Sequence, residues 1–229
     1  MRRFDLVVWD WDGTIVDSVA AVAESMIRAA ADLGLPVPSN ERARWVIGMG
    51  LLEAIHHAVP SIRRDQMPAF IERYRVHYLK RDATLEVFDG IGELLRGLDA
   101  AGVPLAVATG KSRVGLNRAL VQTGLAPRFV DTRCADEGAP KPDPWMLRDL
   151  GAVLQVPPQR MVMIGDTTHD VGMAKAAGAA SVAVLYGAHE PAALRESAPD
   201  AVVDSVPALA DWLAAACAVD RGLLGPERR

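Results

Sequence analysis

The amino-acid sequence predicts an α/β protein, with a parallel-sheet core domain covered by helices and an inserted α-helical cap domain. Three observations lead there. Short apolar runs alternate with segments of helical period. Those helical segments stop at glycines, and one long interval, from Asp17 to about Arg81, shows helical patterning and no strand. The length, 229 residues with 50% hydrophobic and 24% charged, suits one large domain or one domain carrying a smaller insertion.

The first apolar run, Phe4 to Asp10, ends in an acidic residue and a Gly-Thr turn and reads as a buried strand. Similar runs follow at Pro104–Ala108, Met161–Ile164 and Ser181–Leu185, with a weaker one at Ala201–Val203. Between them, Ile91–Ala101 stops at Gly102, Val114–Thr123 at Gly124 and Val171–Ala177 at Gly178. Glycine just past a helix takes the left-handed conformation without a Cβ clash, which makes it a stop signal. Strand, helix, glycine, strand, repeated, implies right-handed crossovers and a Rossmann-like parallel sheet covered on both faces.

The interval without strands breaks this rhythm. Val19, Val22, Met26, Ile27 and Leu33 form one apolar stripe behind the candidate caps Asp17 and Ser18. Met67, Phe70, Ile71, Tyr74 and Tyr78 form another. The stretch is far longer than an ordinary crossover. The expected division is therefore a core of residues 1–15 and 83–229 and a helical cap of residues 16–82. The connectors fall near Thr14–Val16 and Asp82–Gly90, and such a pair permits hinge motion, so the cap is expected to act as a lid. Its stripes are assigned to its own core and to nothing else.

A formal net charge of -4 leaves no global positive field to hold nucleic acid. Local basic pairs, at Arg63 with Arg64 and in Glu227-Arg228-Arg229, read as a solvated helix face and a tail. Cys134 and Cys217 have no metal-ligand spacing and are expected to be inert buried thiols. The first strand pattern begins almost at once, and no apolar stretch is long enough to cross a membrane, so the expected compartment is a reducing cytoplasm. Nothing in the pattern bears on oligomeric state.

Polar groups gather just beyond the ends of the apolar runs: Asp10 with Asp12, Thr109 with Gly110, Lys141, and Asp166 with Asp170. In an open parallel sheet the carboxyl ends of the strands line the ligand crevice. Asp10-Trp11-Asp12-Gly13-Thr14 resembles the D-x-D-G-T signature of the haloacid dehalogenase superfamily. Val107 to Lys111 is similar to its second motif, an apolar strand ending in Thr or Ser. Lys141-Pro142-Asp143-Pro144 resembles the third, and Gly165-Asp166-Thr167-Thr168-His169-Asp170 the fourth, all in the family's order. Trp9 and Trp11 depart from it, since Phe and Leu are more usual there; both are apolar and expected to pack.

The resemblance implies a magnesium-dependent phosphatase with phosphoglycolate phosphatase-like organisation, acting on a small phosphorylated metabolite. Phosphoryl transfer needs cations and in-line geometry around a poor, anionic electrophile. Asp10 would be the nucleophile and Asp12 the general acid and base. One oxygen of Asp10, the backbone carbonyl of Asp12 and the carboxylate of Asp166 would hold Mg2+, a hard cation that prefers oxygen. Asp170 would steady Lys141 or a water. Lys141, Thr109 and the Gly110 amide would bind phosphate oxygens at a helix start.

Asp12 discriminates among chemistries, because superfamily dehalogenases lack it and so do the phosphonate-cleaving members, which also need a cap lysine. The cap's only lysine is Lys80, near its end. Two rival functions remain at this stage: a phosphomutase of the same superfamily acting on a sugar phosphate, and, more remotely, a phospho-Asp signalling receiver. His56 and His57 are expected to be exposed or packed, and His169 to begin a helix. Lys111 is open between a rim charge and a phosphate contact. Gly48 and Gly50 are open between a loop facing the site and a helix-breaking turn.

Overall fold

A computed structural model describes residues 2–82 and 84–225; Glu227 to Arg229 lie outside the described residues. Six strands, β1 (Leu6–Trp9), β2 (Leu105–Thr109), β3 (Asp131–Cys134), β4 (Met161–Gly165), β5 (Ala180–Val184) and β6 (Ala201–Val203), make one sheet in the order β3-β2-β1-β4-β5-β6. Every pairing is parallel. This is the doubly wound order, with β1 at the centre between β2 and β4. β1 is buried on both faces, so its alternation sends Leu6 and Val8 one way and Val7 and Trp9 the other.

Four helices fill the long interval: α1 (Val19–Asp32), α2 (Asn40–Trp45), α3 (Leu51–Ala58) and α4 (Met67–Asp82). They enclose a separate apolar cluster in which Met26, Ala29, Val46, Ile55 and Phe70 are buried. The remaining helices clothe the sheet. α5 (Ile91–Ala100) and α6 (Arg113–Thr123) cover the Trp9 face. α7 (Trp145–Leu154) and α8 (Thr168–Ala177) cover the Leu6 face. α9 (Pro191–Glu196) packs Leu194 beside α8, and α10 (Val206–Cys217) returns to the Trp9 face. Trp9 and Trp11 are both buried, Trp11 edge-on to Phe129.

Three expectations need correction. β3 was not anticipated, because Asp-Thr-Arg-Cys carries no apolar run; as an edge strand it needs none. The helix after β2 begins at Arg113, capped by the Ser112 hydroxyl, so Thr109 ends the strand and Gly110 sits in the loop that follows, neither of them at the helix start. The apolar stripes of the insertion serve more than its own core. Val19, Val22 and Tyr78 join Ile47 and Ala188 in a boundary cluster, and Tyr74 and Tyr78 face the carboxyl end of the sheet.

The connectors pair with each other. Val16 and Val87 form an antiparallel bridge, flanked by Asp17 N–H to Glu86 O and Phe88 N–H to Ile15 O, each 3.0 Å. No described helix is long and apolar enough to cross a membrane. Cys134 and Cys217 are free and buried, and burial pushes their thiols up to about 12 and about 11.

Candidate active site

Asp10 follows β1 directly, and its N–H still donates to Ile164 O of β4 at 2.9 Å. The chain then turns at Gly13, where φ is +81° and an added Cβ would lie 2.2 Å from Asp166 Oδ2. Only glycine meets both demands. Asp166, at the end of β4, is thereby brought against the first strand's turn. Its Oδ1 accepts from the Thr14 hydroxyl at 2.8 Å and its Oδ2 from Ala188 N–H at 2.6 Å.

Asp170 is fixed by a reciprocal capping box at the start of α8. Its Oδ2 accepts from Thr167 N–H and the Thr167 hydroxyl, at 3.1 and 2.6 Å. Its Oδ1 accepts from Lys141 Nζ at 2.6 Å. Lys141 is fully buried and also stands 2.8 Å from Asp10 Oδ1, as a charge pair off hydrogen-bonding geometry. Asp10 Oδ2 has no hydrogen-bond partner among the described residues.

Two buried carboxylates thus share one ammonium, with a third buried carboxylate, Asp166, close by. Burial lifts Asp10 well above the usual carboxylate range, with Asp170 and Asp166 adding to the lift and Lys141 opposing it. Burial, then the neighbouring Asp170, pushes Asp166 up to about 7. Burial works against the charge on Lys141, but Asp10 and Asp170 outweigh it and raise its pKa. Asp10, Asp166 and Asp170 each offer an oxygen within 4.8 Å of the others. An all-oxygen, net-negative cluster with an unpartnered oxygen fits a hard divalent cation such as Mg2+.

The Asp12 carboxylate lies outside that cluster. Its Oδ1 accepts from the Ser18 hydroxyl at 2.7 Å, and both oxygens accept from Lys111 Nζ at 2.9 and 3.0 Å. Lys111 in turn donates to the Tyr78 hydroxyl at 2.9 Å. A residue of α4 therefore touches the Asp12 pair, and Lys111 is more than a bare rim charge. Thr109 is buried, its Oγ1 accepting from Lys111 N–H at 3.2 Å. A Cβ on Gly110 would lie 2.5 Å from Met49 O and 2.6 Å from Gly48 O. The loop around Gly48 thus roofs the site, which settles its two readings in favour of the facing loop. The cavity between roof and sheet holds about 440 Å³.

A second contact ties α2 to the core. Arg44 donates to Gly187 O and Ala188 O at 2.9 and 3.3 Å. The Trp45 carbonyl lies 2.8 Å from His189 Nε2 and 3.1 Å from His169 Nε2, so both nitrogens carry the proton. Burial lowers His169 and brings His189 down to about 4. His169 is thus a buried tie to the insertion as well as a residue of the helix start; His56 and His57 are exposed.

Ser18 and Tyr78 were read only as a candidate cap and a member of a core stripe, and Arg44, Trp45 and His189 were not singled out. Thr14 and Thr167 were legible in principle, as the last residue of the first motif and as a cap three residues before Asp170. Tyr78, Arg44, Trp45 and His189 meet partners far along the chain and leave no local signal, whereas Ser18 reaches back six residues to Asp12.

A doubly wound sheet with an acidic pair beyond its central strand, a buried lysine and a further acidic pair beyond the neighbouring strand defines a hydrolase of the phosphatase kind. The chain belongs to the haloacid dehalogenase-like hydrolase family, whose model matches residues 7–184. It is 34% identical over 206 residues to the probable phosphatase IndB of Dickeya dadantii, covering 87% of this chain and 89% of that protein. It is 35% identical over 193 residues to the tyrosine-protein kinase PtkA of Mycobacterium tuberculosis, covering 80% of this chain but 62% of that longer protein. Phosphoglycolate phosphatase of Chromobacterium violaceum is 32% identical over 224 residues, covering 93% and 98%. The crystal structure of a predicted phosphoglycolate phosphatase from Haemophilus somnus superposes with a TM-score of 0.81 at 26% identity, covering 90% and 96%.

Proposed function

We propose that the protein is a magnesium-dependent phosphomonoester hydrolase that works through an aspartyl-phosphate on Asp10. The observation that carries this reading is the contrast between the two aspartates of one turn. Asp10 has an unpartnered oxygen beside Lys141, whereas Asp12 is held apart by Ser18 and Lys111. Both border the same cavity. In this reading Asp10 attacks phosphorus, the ester P–O bond breaks, and Asp12 gives its proton to the leaving alcohol. Asp12 then takes a proton from water as that water attacks the acyl phosphate, releasing inorganic phosphate and restoring Asp10.

Lys141, Thr109 and the Gly110 amide are assigned to the phosphate oxygens, and Asp170 to holding Lys141 in place. Asp10, the Asp12 carbonyl and Asp166 would hold Mg2+, which neutralises charge between the carboxylate and the phosphoryl group. Residues 16–82 serve as the cap, closing over the sheet so that water is excluded during transfer.

Phosphoglycolate enters as a substrate through the names of the relatives and is the first to test. A panel of phosphorylated metabolites with Mg2+, scored by released phosphate, should show turnover that EDTA abolishes and Mg2+ restores, with Ca2+ a poor substitute. Full activity without metal would refute the metal requirement. Isomerised product from a hexose 1-phosphate, in place of free phosphate, would turn the assignment to a phosphomutase.

A further inference from the structure

The cavity over Asp10 has two unlike ends. Asp10, Asp12, Thr109 and Lys111 make a polar floor at the sheet. The wall contributed by the insertion is apolar, with Val22, Met26, Ile47, Met49, Tyr74 and Leu79 facing the same space. Tyr74 and Tyr78 stack there with ring centroids 5.9 Å apart, and burial raises both phenols above their ordinary range, so they stay neutral. The volume of about 440 Å³ equals roughly fifteen waters at ~30 Å³ each. A phosphoryl group with a two-carbon acid leaves most of it empty.

The cations at this cavity do not serve the apolar end. Lys111 is engaged by Asp12 and Tyr78. Arg118 is tied to Asp82, and Arg75 lies exposed at the mouth. A second anionic group pressed against the Met26 side would lose water without gaining a partner, which is costly. An uncharged hydrocarbon body loses nothing there and gains about fourfold in binding for each methylene buried.

We propose that the preferred substrates are monophosphate esters of largely apolar alcohols, with an alkyl or arylalkyl body of about four to ten carbons lying against the insertion's wall. This rests on the phosphatase reading and narrows its substrate class. Phosphate release should be measured for straight-chain alkyl phosphates from methyl to octyl, for 2-phenylethyl phosphate and for phosphoglycolate, all esters of primary alcohols. Aspartyl-phosphate formation from acetyl phosphate is followed in parallel by intact-protein mass spectrometry.

The expected result is a kcat/KM that rises about fourfold per methylene until the cavity fills, with hexyl phosphate exceeding phosphoglycolate by more than about tenfold. Leu79 is half exposed at the mouth, so Leu79→Arg should fold and should cut that ratio by about tenfold. A flat or falling series, phosphoglycolate as the best ester, or an unchanged ratio in Leu79→Arg overturns the substrate class and leaves the phosphatase reading standing. Phosphorylation by acetyl phosphate with no ester turned over overturns the substrate class and turns the phosphatase reading toward a phospho-Asp receiver. Absence of both phosphate release and the covalent species overturns the phosphatase reading itself.

Discussion

Asp10 and Asp12 are two residues apart, yet they meet different neighbours. Two side chains projecting from one strand end would have competed for the same lysine; here Lys141 attends to one and Lys111 to the other. Asp10→Asn should therefore remove the covalent intermediate and essentially all turnover. Asp12→Ala keeps the backbone carbonyl and should lose a factor on the order of 10²–10⁴ in rate with ordinary esters. With an aryl phosphate, whose leaving group needs no proton, the first step should survive and the second stall, so a phosphorylated species accumulates by mass spectrometry. Its appearance in Asp10→Asn instead would reverse the assignment. The positions of Asp10, Asp12, Thr109 and Asp166 at or just past strand ends were legible in the sequence, because apolar runs announce where strands stop, whereas Lys141 and Asp170 were legible through their motifs alone. The hand-over from Asp12 through Lys111 to Tyr78 was not. It joins residues more than thirty positions apart, and a tyrosine in an apolar stripe looks like any other core residue.

At the level of elements, the loop between α2 and α3 acts as a roof because Gly110 has no side chain. The carbonyls of Gly48 and Met49 occupy the space that a Cβ there would need. Gly110→Val should push that loop outward, raise KM by about tenfold or more for every ester and leave the melting temperature within a few degrees of wild type. Gly50 differs: its φ is -63° and a Cβ would meet Ala135 at an ordinary 3.4 Å. Gly50→Ala should be close to neutral in the same assay, and equal damage from both variants would mean that the loop is merely structural. Strands β1, β2, β4 and β5 could be read from their apolar runs, each buried on both faces. β3 could not, since half of an edge strand's surroundings is water and Arg133 can sit within it, paired to Asp131 at 2.8 Å. Helix periodicity found α1 and α4, whereas α2, with Ala43 as its one buried residue, carries too few apolar positions to register.

Across the whole molecule, the ties at Trp45 make the seating of the insertion sensitive to acid. His189 donates through Nε2 to Trp45 O and accepts at Nδ1 from Thr168 N–H, 3.1 Å away, so a proton at Nδ1 would set donor against donor. The standing charge of Arg44 and a protonated His169 both oppose a proton on His189, while Asp170 partly offsets them. The folded-state value of about 4 lies below the ordinary 6.5, so between those values the unfolded chain binds a proton that the folded chain refuses. Stability is thus complete above about pH 6.5 and declines as pH drops toward 4, by on the order of 3 kcal/mol at ~1.4 kcal/mol per unit. Chemical denaturation of His189→Asn should show a shallower decline across that window, and a slope equal to wild type would remove His189 from the account. The same loop, through Ala188 N–H, holds Asp166, which links the fit of the roof to the floor beneath it. The bridge from Val16 to Val87 bears on descent as well as on mechanics. An excursion that departs and returns through one bridge is, to the sheet, a closed ornament. Whatever hangs from that bridge, the polypeptide re-enters at the same point and heading, and the strands bearing Asp10, Thr109 and Asp166 keep their register. Lineages can therefore trade one ornament for another, acquiring new clientele without rewriting the reaction.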